Sequence, residues 1–440
     1  MTQETGPHPA RHEVSMNREP HPAGGSAQVR RLPMPRGVRA RPFAPQAPRA
    51  AGSGIVVAPP RYALAHALTR SLGQPLVSGN RVELLRGGEP AWAALLEAID
   101  RAREHINLES PAFITPALAA SLAQRLITRA GAGVRVNLLL DGSRPGAARD
   151  ATLLRQSGIN VCASRWLARA QTLLGRAAGR HTQRSLIVVD GHVAFLGGLA
   201  PPRSPGAGSC LRVEGPAVAQ LQDLFLAHWR QECGTAPPQA RYFPALSPRG
   251  PQRTGLAVCS AGWHDRPLQP ALLAAIDAAQ HSVLIGGTPA SSVAEALTRA
   301  CARGIEVQVL LPATHARDAD EPAERARNHA LLCGGARLHR RRDAPLQADI
   351  CVIDGVWAAV GCSLDFDRRL HGAELTLIVL DGDFGAGVDR LVRDDIARSC
   401  ESTTPETEGA QAAPPQADAP AANAWRRGRQ WLSERLDTRP

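Results

Sequence analysis

Lysine is absent from this chain: all 51 basic side chains among its 440 residues are arginine. Every mechanism that needs an ε-ammonium is thereby excluded, Schiff-base catalysis and the P-loop lysine among them. Long apolar runs are missing too, and no stretch reaches the roughly 18 apolar residues of a membrane-spanning helix. The N-terminus has arginines but no apolar core of a secretory signal. Aromatics are scarce, with seven Trp, seven Phe and two Tyr, which gives little surface for stacking bases and makes nucleic acid an unlikely partner. Nine cysteines are scattered, at 162, 210, 233, 259, 301, 333, 351, 362 and 400, with no C-x₂-C pair. That spacing argues against zinc, and the odd count in a long chain argues against a disulfide framework. Reduced thiols in the cytoplasm, free or peripheral at the inner membrane, are the expectation.

What is present divides into a middle and two tails. Residues 1–54 are rich in Pro, Gly, Ala and Arg and carry +5, while 401–440 carry −1, leaving +7 on the middle. Neither tail has the apolar surface to offset its ordering entropy, so both read as disordered. Within the second, AWRRGRQWLSERL (424–436) puts Trp425, Leu432 and Leu436 on one helical face opposite arginines. That pattern suits an interfacial membrane anchor or a terminal helix docked on the core. The basic balance favours anionic partners without choosing among them.

The middle repeats one plan. LLEAIDRA (95–102) returns as LLAAIDAA (272–279), each followed by an apolar strand, a helical stretch ending at Gly133 or Gly304, and a buried-strand run. SLIVVDGHVAFLGG (185–198) then matches ICVIDGVWAAVGCS (350–363), two apolar runs flanking the Asp-Gly of a tight hairpin. Strands alternating with amphipathic helices predict an α/β fold with helices on both faces of mixed sheets. Two copies predict pseudo-twofold pairing, with domains at 55–233 and 257–400, a Pro- and Gly-rich linker at 234–256, and a site at the seam.

This layout resembles the phospholipase D superfamily, most closely its bacterial cardiolipin synthase branch, over roughly residues 79–400. The similarity is carried by GNRVELLRGG (79–88), INLES (106–110), GVRVNLLLDG (133–142), VVDGHVAFLGG (188–198) and RVEGPAVAQLQDLF (212–225). In the second half RGIEVQVLLP (303–312), VIDGVWAAVGCS (352–363) and AEL (373–375) carry it. The resemblance implies an H-x-K-x₄-D motif in each half. One imidazole attacks phosphorus and the other protonates the leaving alkoxide, while the lysines neutralise the non-bridging oxygens. The aspartates are expected to orient the histidines.

Counting back from Asp190 places Gln183 and Ser185 at the histidine and lysine positions; from Asp354 they are Gln347 and Asp349. The asparagines that follow the family's glycines are also missing. An amide is neither nucleophile nor proton donor near neutral pH, and losing the nucleophile of a cooperating site costs on the order of 10⁶ in rate. A carboxylate at 349 repels a phosphate oxygen ~4 Å away by a few kcal/mol at an effective dielectric of 20. The sequence therefore predicts an inactive relative that binds anionic phospholipid, a membrane surface, or a protein partner such as an active paralogue; the alternatives are an active phosphatidyltransferase making cardiolipin from phosphatidylglycerol with displaced residues, and a binder of the nucleic-acid phosphodiester backbone.

Other residues bear on that expectation. His181, two residues before Gln183, is a substitute nucleophile only if the strand is re-registered, by ~6.6 Å. Arg180 and Arg184 frame the first motif, and Arg340, Arg341 and Arg342 precede the second. Such clusters bind phosphate or simply form solvated loops. Asp190 and Asp354 suit the hairpin turn alone. With Asp349 they are weak grounds for a cation site, so no metal and no cofactor is expected.

Overall fold

Two sequence periods build the architecture: apolar residues every three or four positions in the helices, and strands apolar on both faces. In a computed structural model, residues 65, 68–73, 75–86, 89–110, 116–140, 147–163, 185–197, 209–259, 268–312, 322–341, 349–361 and 374–402 are described. Residues 1–54 and 403–440, with the C-terminal helix expected at 424–436, and positions 180, 181, 183, 184, 342 and 347 lie outside these residues, whereas 401 and 402 of the tail expected to be disordered join a strand.

The first half runs β1 (Val77–Leu85), α1 (Glu89–Asp100), β2 (His105–Ser110), α2 (Pro116–Gly131), β3 (Arg135–Leu140), α3 (Ala147–Gln156) and β4 (Asn160–Ala163). It continues with β5 (Leu186–Val189), β6 (Val193–Gly197), β7 (Cys210–Glu214) and α4 (Ala217–Cys233). The second half has β8 (Gln252–Cys259), α5 (Leu268–Asp277), β9 (Ser282–Gly286), α6 (Ser291–Ala302), β10 (Glu306–Leu311), α7 (Pro322–Cys333) and β11 (Arg337–Arg340). It ends with β12 (Asp349–Ile353), β13 (Trp357–Gly361), β14 (Glu374–Leu380), α8 (Gly382–Ala397) and β15 (Cys400–Ser402).

All the strands join one mixed sheet, in the order β15-β11-β10-β9-β12-β13-β14-β8-β1-β7-β6-β5-β2-β3-β4. Reading outward from the β1–β8 seam, both halves have the same order, with β15 added at one edge. In each, two parallel pairs run into an antiparallel hairpin, β5–β6 or β12–β13. The sheet curls so that β6 packs against β13, bringing the two hairpins together across the seam. This is the α/β architecture expected from the sequence.

The hairpin strands show why an unbroken apolar run is needed. Leu186 and Val188 of β5, with Ile350 and Val352 of β12, face a core shared by both halves that also takes Phe225 of α4 and Phe384 of α8. Ile187 and Val189 turn the other way, into a core with Leu95 and Ile99 of α1. Cys351 and Ile353 do likewise on the second half, against Leu272 and Ile276 of α5. Helices thus cover both faces. The helical residues 68–72 that precede β1 put Leu68 into the second half's outer core.

One expectation is corrected here. The thiols are not all reduced: Cys162 on β4 and Cys233 at the end of α4 form a disulfide, with Cα atoms 6.1 Å apart, inside the usual range. The pair is 71 residues apart in sequence, and only the packing of α4 against β4 brings it together. Cys210, Cys301, Cys333, Cys351 and Cys400 are free thiols.

Candidate functional site

The hairpin strands carry the motif positions in order, one end for the chemistry and the other for the aspartate. Ser185, half-buried, directly precedes β5, and its carbonyl accepts from the Gly197 amide at 3.3 Å. Asp349 opens β12, opposite Gly361 of β13. Its carboxylate lies over Gly287, which has φ +142°; a Cβ there would meet Asp349 Oδ1 at 2.6 Å. The glycine leaves the room this acid occupies, where the family resemblance calls for a lysine.

Asp190 and Asp354 stand five residues further along, ~16 Å at strand rise, and both have left-handed backbone with φ 52°. Asp190 accepts from the backbone N–H groups of Arg103, Glu104 and His105 at 2.8, 2.8 and 2.9 Å. Asp354 accepts from Gln280, His281 and Ser282 at 2.9, 2.8 and 3.0 Å. Each carboxylate ties its hairpin to the turn that enters the neighbouring strand, β2 or β9. Neither points to the motif end. The motif's first positions, 183 and 347, lie outside the described residues, and the contacts shown for these two carboxylates are those of turn clamps. Among the described residues no group of three His, Cys, Asp or Glu is arranged to hold a metal.

The arginines are distributed unevenly. Arg340 Nη1 donates to the Pro312 carbonyl at 3.3 Å. Arg341 faces Asp395 of α8 at 3.5 Å. Both sit at the end of β11, which β10 and β9 separate from β12.

The structure also contains a polar track that sequence reading missed. Along β2, His105, Asn107 and Glu109 alternate with apolar residues and are fully buried on the face toward α4. His105 Nε2 lies 3.1 Å from Gln222 Oε1. Asn137 Nδ2 donates to Asn107 Oδ1 at 2.7 Å, and Asn160 Nδ2 donates to Asn137 Oδ1 at 3.0 Å. At the motif end His228 Nδ1 is 2.9 Å from Glu109 Oε1, and His228 Nε2 is 3.7 Å from Glu232 Oε1. Burial lowers the pKa of His105, against its hydrogen bond to Gln222. Burial likewise raises that of the Tyr242 hydroxyl, opposed by Asn137 and the charge of Arg135. The signal was the H-x-N-x-E alternation in HINLES, which marks one polar face on a strand. The matching positions on β9 are Ser282, Leu284 and Gly286, with Leu284 in the shared core, so the track belongs to the first half alone.

A cavity of about 200 Å³ opens at the Asp190 end, between α1 and the β5–β6 turn, lined by Ala94, Ala98, Val189 and His192. It is remote from position 185.

Comparison with known proteins shows what the chain is similar to. No family model matches the chain. Cardiolipin synthase A of Pseudomonas aeruginosa is 29% identical over 357 residues, covering 77% of this chain and 71% of that protein. The Yersinia pseudotuberculosis protein of that name is 27% identical over 370 residues, covering 79% and 75%. The chain resembles the bacterial cardiolipin synthases of the phospholipase D superfamily. A phosphatidylserine synthase of Haemophilus influenzae shares the fold, with a TM-score of 0.56 at 10% identity over 85% of this chain and 98% of that one. Ser185 and Asp349 stand five residues before Asp190 and Asp354, where the resemblance calls for lysine. No helix among the described residues is long and apolar enough to cross a membrane.

Proposed function

We propose that this protein is a catalytically silent cardiolipin synthase-like member of the phospholipase D superfamily, acting as a peripheral binder of anionic phospholipid at the cytoplasmic face of the inner membrane. The observation that carries the reading is the four-fold substitution Gln183, Ser185, Gln347 and Asp349. Nucleophile, general acid and both phosphate-neutralising cations are replaced on a frame whose core, hairpins and aspartate turns are intact. The position of Asp349 over Gly287 supports it further, because a carboxylate there opposes the charge that develops in phosphoryl transfer. The lipid direction comes from the relatives' names and the chain's +11 charge.

A second reading, phosphatidyl transfer by displaced residues, has one observation in its favour. His228, set against Glu109, is an imidazole held by a carboxylate at the motif end of the sheet, the arrangement of an oriented base. His181 was the sequence's own substitute.

A turnover assay separates the two. Full-length protein with phosphatidylglycerol vesicles is expected to release no glycerol and form no cardiolipin or phosphatidic acid above the vesicle background. Product that disappears with His181→Ala or His228→Ala would overturn the silent reading and assign the chemistry to that ring. A silent protein that ignores vesicles but retains an active paralogue in a pull-down would replace lipid by a protein partner.

A further inference from the structure

We infer that the ordered strap at 234–251, with the arginines around it, is the surface through which this protein meets an anionic bilayer, an inference that rests on the lipid-binding reading above. Phe243 is 53% exposed, the one exposed large hydrophobic side chain among the described residues. The strap zigzags: Arg241, Phe243 and Ala245 face outward, while Tyr242, Pro244 and Leu246 turn toward the protein. Tyr242 and Leu246 pack against the shared core.

Several contacts hold the strap rigid. The Tyr242 ring meets His105 edge-on at 4.9 Å between centroids. Its hydroxyl accepts from Asn137 Nδ2 at 2.9 Å and donates to the Pro238 carbonyl at 2.6 Å. Pro244 presses on the β5–β6 turn, where a Cβ on Gly191 would lie 2.5 Å from its Cδ. The Arg249 amide donates to the Gly79 carbonyl at 2.8 Å. Phe243 is therefore presented in a fixed position, and insertion requires little further ordering.

The charge around it is one-sided. Residues 234–251 contain Arg241 and Arg249 and no acid. Arg135 acts on the Tyr242 hydroxyl, and Arg103 belongs to the turn that Asp190 clamps. All four arginines are exposed, and none is in an ion pair among the described residues. Glu104 is an exposed acid at this end, Glu97 and Asp100 on α1 are exposed too but paired with Arg101 and Arg125, and Asp190 is engaged by three amides. Guanidinium groups bind lipid phosphates in pairs of hydrogen bonds, and a single aromatic among them suits the headgroup boundary. A nucleic acid would ask for further exposed rings to stack on.

The patch lies at the Asp190 end of the sheet, opposite the motif positions. Docking through it holds position 185 away from the lipid, as suits a protein that does not turn lipid over.

Co-sedimentation of the full chain with phosphatidylglycerol/phosphatidylcholine vesicles, against pure phosphatidylcholine, tests the inference. Phe243→Ser is expected to weaken anionic-vesicle binding roughly tenfold. Replacing Arg103, Arg135 and Arg241 together by Gln is expected to weaken it by more than tenfold, at roughly fivefold per arginine, with the melting temperature unchanged. Wild-type protein that binds and variants that bind equally would overturn this surface while leaving the lipid reading in place. Wild-type protein that ignores anionic vesicles would sink both. A duplex-DNA shift lost in the arginine variant, without vesicle binding, would reassign the patch to a phosphodiester backbone.

Discussion

At Asp190 and Asp354 one side chain does two local tasks. Asp tolerates the left-handed backbone that a two-residue hairpin turn demands, and its carboxylate gathers three backbone N–H groups that would otherwise lack partners. Hydrogen bonds to a charged acceptor contribute more than neutral ones. Asp354→Ala is expected to lose about 2–4 kcal/mol in urea unfolding. Asp354→Asn should lose less, since it keeps one acceptor oxygen and a tolerance for φ 52°, and Asp354→Gly should fall between them. An Ala variant as stable as wild type would show that solvent satisfies those amides equally well. The turn itself was legible as Asp-Gly between apolar runs. The clamp was not, because its partners lie 72 to 87 residues away in sequence. The motif positions 183, 185, 347 and 349 rest on counting back from each aspartate, and two of them, 183 and 347, lie outside the described residues.

For helices and strands, legibility followed periodicity. α1 shows its buried stripe, Ala91, Leu95 and Ile99, at spacings of four, and β5 and β12 read as buried strands because both faces meet helices. β2 was harder: an apolar run was seen in HINLES, while its polar face became meaningful only once α4 brought Gln222 and His228 across. The same packing made the disulfide invisible beforehand, since spacing along the chain says nothing about which cysteine an α4 terminus meets. Closing a 71-residue loop constrains the unfolded chain by up to ~4 kcal/mol. A reductant is therefore expected to lower the urea midpoint, and Cys162→Ser/Cys233→Ser should reproduce the loss and remove further sensitivity to reductant. Peptide mapping under non-reducing conditions that finds both thiols free would refute the bond.

In the whole molecule, the shared core decides cooperativity. Phe225, Leu377 and Val379, all fully buried, pack in one cluster drawn from both halves, so neither half has a complete interior alone. Heating should give a single transition by tryptophan fluorescence and calorimetry, with the calorimetric and van't Hoff enthalpies equal. Phe225→Ala should shift it as one unit, by about 3–5 kcal/mol; two separated transitions in that variant would mean that the halves fold independently. The fusion into one sheet was not legible, because nothing in the apolar pattern of β1 or β8 specifies its partner strand; the two pair with a register shift between Val77 and Asn80.

That seam carries one more consequence. β1 and β8 hold equivalent places in two halves of the same strand order, so their antiparallel pairing has the form of a contact between identical partners. A chain of half this length could close the same sheet as a symmetric dimer, but every substitution would then appear twice. Joining the copies on one polypeptide frees them to differ. A hydroxyl at 185 can correspond to an acid at 349, and a polar track can run beneath one hairpin while leucine fills the space beneath the other.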